Sequence, residues 1–246
     1  MKAAHAAQLR LLDLQAEDTA LAQLAHRRRT LPQLAALAER DIRSRDLGNE
    51  LLDAETSAQD VADEQKRLEA EIDAVRSRAS RDEQRMQSGG LPAKELEGLQ
   101  HEVATLARRQ GSLEDDLLEV MEQQESVDAS VAELRGRRDA LEQEIAGLGA
   151  ERDAAFTEID AMIAARTQQR AAIVGDIPAD LLALYERARE QGGGSGAAVL
   201  RQRRCEGCRI ELSGSELSRV RTADADEVVR CDNCRRILVR TAESGL

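Results

Sequence analysis

The chain has no tryptophan, one tyrosine (Tyr185) and one phenylalanine (Phe156) in 246 residues, so an ordinary ring-filled globular interior is excluded. Prolines number three, at Pro32, Pro92 and Pro178, and leave long stretches free of helix breakers. Histidine is equally scarce: His5, His26 and His101 lie on helix-patterned segments, remote in sequence from the C-terminal cysteines. No phosphate-cradling glycine loop or nucleophile elbow occurs, and no carboxylate stands out as an acid or base. These absences argue against an enzyme and against a small-molecule substrate. No apolar run is long enough to cross a bilayer, and the opening "MKAAHAAQLRLLDLQAED" has no apolar signal core. A cytoplasmic protein without a membrane partner is expected.

What is abundant is charge. Charged residues make up 33% of the chain, alongside many alanines and leucines, a profile of long helices and coiled coils. The net charge of −12 disfavours broad affinity for nucleic acid or anionic membrane. Arginine outnumbers lysine 32 to 3, a bias of a GC-rich genome more than of a function.

From Leu96 onward the apolar residues alternate at spacings of three and four. One seam position reads Leu99, Leu106, Leu113, Val120, Val127, Leu134, Leu141 and Leu148. Its companion reads Leu96, Val103, Gln110, Leu117, Gln124, Val131, Arg138, Ile145 and Arg152. An uninterrupted 3.5-residue period predicts a left-handed coiled coil. Val61, Gln65, Leu68, Ile72 and Val75 carry the same period in the preceding stretch. Between the two lies "QSGGLPAK", where Gly89 and Gly90 permit positive φ and Pro92 can open a helix. Residues 88–92 are therefore read as a hairpin turn, with arms on the order of 120 Å each if straight. Pro32 predicts a kink or break after a helix near residues 3–29. The polar seam residues either set register or lay their stems over a loosely covered seam. Whether the hairpin satisfies its own seam or pairs with a second chain stays open.

The periodicity changes after "GDIPADLLALYERARE", a short helix, and "QGGGSG", a turn or link. "AAVLRQRR", "RIEL", "EVVRC" and "RILVR" read as short β pieces, with "SGSELSRV" as a single helical turn. The domain reading is thus 1–175, an antiparallel coiled-coil hairpin, and 176–246, a short helix with a small β module. The fold class is mainly α.

All four cysteines sit in that module, as "CEGC" (Cys205, Cys208) and "CDNC" (Cys231, Cys234). In a reducing compartment paired cysteines point to metal or redox chemistry rather than disulfides. A thioredoxin-like site needs a βαβ context that is missing. Two Cys-x-x-Cys turns separated by 22 residues instead predict a zinc ribbon, with Gly207 and Asn233 as the left-handed positions. Iron in a four-thiolate cage is chemically possible too. Four sulfurs fill a tetrahedron, so one structural Zn2+ without catalytic role is expected.

Arg201, Arg203 and Arg204 precede the first knuckle, and Arg209, Arg235 and Arg236 flank the cysteines, making them candidate contacts for nucleic acid or a partner. Residues 197–240 hold ten arginines against seven acidic residues. A tetrathiolate zinc carries −2 and reduces that excess to about +1, weak for a phosphate surface. The segment has no aromatic residue for base stacking.

"KELEGLQHEV" after the turn, "IPADLLALYERARE", "CEGC" and "CDNCRRILV" together resemble the bacterial C4-type zinc-ribbon family of coiled-coil proteins, which includes flagellar regulatory zinc-ribbon proteins. The resemblance spans nearly the whole chain. It implies a helical hairpin with a ribbon at its base, zinc on Cys205, Cys208, Cys231 and Cys234, and a protein-binding adaptor. Some members bind the sigma-54 factor or act on messenger RNA. The implied partner is therefore a sigma factor or another transcription or translation component, with RNA or DNA binding as the alternative. Two departures stand out: Asp232 where many ribbons have Pro, and Arg235 where Gly is usual.

Overall fold

The computed structural model describes all of residues 1–246. In chain order the elements are α1 (His5–Arg29), α2 (Pro32–Gln87), α3 (Ala93–Gly175), α4 (Ala179–Gln191), β1 (Ala197–Arg201), β2 (Arg204–Cys205), α5 (Gly214–Thr222), β3 (Val229–Arg230) and β4 (Ile237–Val239). Two compact units result, Ala35–Gly149 on one hand and Met1–Leu34 with Ala150–Leu246 on the other. Division by packing thus groups α1 and the end of α3 with the ribbon, whereas the periodicity reading divides the chain at 175/176. No helix is long and apolar enough to cross a membrane.

The unit 35–149 is the antiparallel pairing of α2 with α3. Leu47 and Leu51 pack with Val131, Leu134 and Leu141. Nearer the turn, Leu68 and Ile72 close over Leu113. Ion pairs flank this seam, among them Arg135–Glu55 at 2.6 Å and Arg76–Glu114 at 2.6 Å. The polar seam residues Gln110, Gln124 and Arg138 are half-buried. Their polar ends bond within their own helix, Gln110 to Glu114, Gln124 to Asp128 and Arg138 to Asp139. The stems cover the seam, and the heads contribute no cross-helix pairing. Gly89 (φ 72°) and Gly90 (φ 82°) make the turn as expected.

In the other unit, α1 ends at Thr30 and Pro32 occupies the first position of α2, where its missing N–H costs no hydrogen bond. The sheet order is β2-β1-β4-β3, with β1 and β4 parallel. Alternation along the strands builds two cores. Ala197, Ile237 and Val239 face Leu11 and Leu14 of α1 and Leu181 and Tyr185 of α4. Ala198, Leu200 and Leu238 face the cysteines, with Leu212 and Val220. Residues 1–3 add an extension, and the helix expected from near residue 3 begins at His5. Ala3 N–H donates to Asp226 O at 2.7 Å, and Val228 N–H to Met1 O at 3.1 Å. Two local expectations are corrected. "SGSELSRV" belongs to a nine-residue helix rather than one turn, and "RIEL" forms only an isolated bridge, Arg204 to Glu211.

Candidate metal centre

The two knuckles repeat one backbone device. In the first, Arg209 N–H donates to Cys205 O (2.6 Å) and Cys205 N–H to Ile210 O (3.0 Å). In the second, Arg235 N–H donates to Cys231 O (2.9 Å) and Cys231 N–H to Arg236 O (3.0 Å). The left-handed residue is therefore the one after each second cysteine: Arg209 and Arg235, both at φ 62°. This corrects the expectation for Gly207 and Asn233. The chain must reverse after the second sulfur to return to the first, which places the unusual torsion there. Gly207 serves close approach instead, since a Cβ there would lie 2.6 Å from Arg236 Cδ and 3.0 Å from Ala198 Cβ.

The four sulfurs lie within 4.8 Å of one another. Cys205 Sγ is 3.8 Å from Cys234 Sγ, and Cys208 Sγ is 3.8 Å from Cys231 Sγ. A zinc tetrahedron with bonds of about 2.3 Å has an edge of about 3.8 Å, so the donor set fits zinc. The same distances exclude disulfides, and all four thiols are free. Burial pushes the Cys205 thiol well up and the Cys231 thiol up to about 11. Burial acts on Cys234 as well, but Arg236 and the neighbouring sulfurs hold it down to about 7. A divalent cation is the charge that lets all four ionise together.

Supporting residues escape a search by cysteine spacing. Glu216, almost fully buried on α5, accepts the Asp232 N–H at 2.8 Å. Proline at 232 has no such N–H, so Asp232 is matched to this helix. Arg219 also pairs with the Asp232 side chain at 2.8 Å. The visible signal was Ser213-x-x-Glu216, a capping-box pattern, and Ser213 does cap α5.

The six candidate arginines do not form one cluster of free charges. Arg201 pairs with Glu243 at 2.8 Å, and Arg203 Nε donates to Gly245 O. Arg236 is half-buried, donating to Gly192 O (2.6 Å) and Ser195 O (3.2 Å) at the end of α4. Arg204, Arg209 and Arg235 are exposed and have no carboxylate partner within 4.0 Å. Arg203 also takes φ 66° in the two-residue turn joining β1 and β2, after Gln202 at φ 46°.

Fold and site together define a helical-hairpin protein with a C4 zinc ribbon. The CT398-like coiled coil hairpin domain matches residues 14–193 and the C4-type zinc ribbon domain residues 204–238. The chain belongs to the CT398-like coiled-coil hairpin family, and its C4-type ribbon brings four cysteines close together, consistent with one structural zinc ion. An uncharacterized protein of Mycobacterium tuberculosis strain H37Rv is 40% identical over 240 residues, 98% of each chain. A solved structure from Mycobacterium smegmatis is 39% identical, with TM-score 0.89 over 98% of this chain and 100% of that one. CT398 of Chlamydia trachomatis shares the fold at 20% identity, with TM-score 0.71 over 96% and 98% of the two chains. Both matched domains are coiled-coil and zinc-ribbon domains rather than enzyme families.

Proposed function

We propose that this protein is a non-enzymatic, cytoplasmic adaptor, braced by zinc, that binds a protein of the transcription or translation apparatus. The observation that carries this reading is the closed metal site. Four cysteine sulfurs gather at tetrahedral spacing, which leaves no coordination position for water or substrate. Such a centre can shape a binding surface but has no chemistry to offer. The paired arms display charge along their flanks, which suits recognition rather than turnover. The naming of the partner class follows the family resemblance.

The nucleic-acid alternative has one feature in its favour, the exposed and unpaired Arg204, Arg209 and Arg235. Arg201, Arg203 and Arg236 are held by protein groups, which weakens it.

A tagged pull-down from native lysate, with and without nuclease, tests both readings against the Cys231→Ser/Cys234→Ser variant. A protein retained after nuclease and lost from the variant is the expected result. Recovery of RNA, with proteins vanishing on nuclease treatment, would replace the adaptor reading with the nucleic-acid one.

A further inference from the structure

The four cysteines differ in their access to solvent. Cys205 ends β2 and Cys231 follows β3, so the sheet draws both sulfurs into the core with Leu200, Val220 and Leu238, where these cysteines are 0% and 1% exposed. Cys208 and Cys234 lie in the turns beyond and are half-buried. The close sulfur contacts cross from one knuckle to the other. Cys208 meets Cys231 and Cys234 meets Cys205, each at 3.8 Å. Each sulfur that reaches solvent is thus backed by a buried sulfur of the opposite knuckle.

A filled tetrahedron leaves no open position on the metal, but the thiolates themselves remain nucleophiles. An oxidant needs to reach only one sulfur, because a second thiolate beside it can complete a disulfide.

We propose that the ribbon is a peroxide-sensitive site, oxidised at Cys208 or Cys234 and closed by a disulfide across the knuckles, with loss of the metal. In the first step the Cys208 thiolate attacks one oxygen of hydrogen peroxide. The O–O bond breaks, the sulfur becomes a sulfenic acid and hydroxide leaves. The Cys231 thiolate then attacks that sulfur, the S–S bond forms, the S–O bond breaks and a second hydroxide leaves. Two sulfurs have given up two electrons, and the peroxide has become two hydroxide ions. Cys234 and Cys205 run the same sequence. The two thiolates left over do not fill a tetrahedron, so zinc departs. A disulfide within one Cys-x-x-Cys would leave the knuckles unjoined, whereas the crossing bond keeps them tied after the metal has gone. The inference concerns the metal centre alone and holds whatever partner the protein binds.

The test treats the full-length, zinc-loaded protein with hydrogen peroxide, reads zinc release with a chromogenic chelator and maps disulfides by mass spectrometry. Arginines bound both knuckles, so trypsin yields residues 205–209 and 231–235 as separate peptides. Zinc release should coincide with the appearance of these two peptides as one linked species, joined 208 to 231 or 205 to 234 on fragmentation. Dithiothreitol with added zinc should restore the parent. The Cys208→His/Cys234→His variant keeps four zinc ligands but loses both solvent-reaching sulfurs, and it should release zinc roughly tenfold or more slowly. Circular dichroism and zinc content check that it is folded. Should it fail to hold zinc, the single variants decide: Cys208→His should form only the 205–234 bond and Cys234→His only the 208–231 bond. Retention of zinc under peroxide, disulfides confined within each knuckle, zinc loss that dithiothreitol does not reverse, or equal release by the double variant would overturn the proposal.

Discussion

The phenol of Tyr185 on α4 donates a 2.6 Å hydrogen bond to Asp18 on α1. The Asp18 carboxylate is 1% exposed and also meets Arg170 Nε at 2.7 Å and Arg189 Nε at 3.3 Å. Burial first, then this hydrogen bond, hold the Tyr185 phenol well above its ordinary pKa, so it stays a donor. One carboxylate thereby joins α1, α3 and α4 beside the ribbon.

Asp18→Ala removes the acceptor that Tyr185, Arg170 and Arg189 share and leaves the two arginines only Glu186. It should destabilise the ribbon-bearing unit by about 3 kcal/mol or more. Tyr185→Phe, which removes only one donor, should cost about 1–3 kcal/mol. Urea titration followed by circular dichroism measures both, and equal costs for the two variants would contradict the central role of Asp18.

Zinc removal should unfold the ribbon and spare the α2–α3 pairing. Tyr185 is the sole tyrosine and there is no tryptophan, so intrinsic fluorescence reports on the core that α1 and α4 share with the sheet. Adding a strong chelator should change that fluorescence while most helical ellipticity persists, and readmitted zinc should reverse it. Cys231→Ser should show the chelated signal from the outset.

Arg209 and Arg235 occupy left-handed backbone that costs a side-chain residue roughly 1–2 kcal/mol. Arg235→Gly should therefore raise the thermal midpoint of the zinc-loaded protein, offset in part by the greater freedom of glycine when unfolded. Gly207→Ala should do the opposite, because its methyl meets Ala198 and the Arg236 stem. A calorimetric scan of each variant decides the sign.

In the hairpin, Gln124 bonds only within α3, and its Oε1 is buried without a partner. Gln124→Leu should stabilise the chain by about 1 kcal/mol, and the gain should appear in the urea midpoint. A loss of stability would show instead that this glutamine sets register.

Leu99, Leu113 and Leu134 all lie in the buried seam that their spacing predicts, and the turn falls at residues 88–92. Asp18 was legible in part: it continues the spacing of Ala7, Leu11 and Leu14, where a charge demands a partner. Nothing local identified those partners, because Arg170 and Tyr185 lie more than 150 residues away along the chain. The same holds for Met1–Ala3 against 226–228 and for Glu216 beneath Asp232.

The sequence by itself determined the helical hairpin and the four zinc ligands. Heptad periodicity and Cys-x-x-Cys spacing act over a few residues, so a single strand of text carries them whole. Only the tertiary structure decided which arginines remain free, where the knuckles turn left-handed, and that α1 lies against the sheet. Those outcomes depend on backbone groups and side chains brought together from distant parts of the chain, and no local pattern encodes which of them meet.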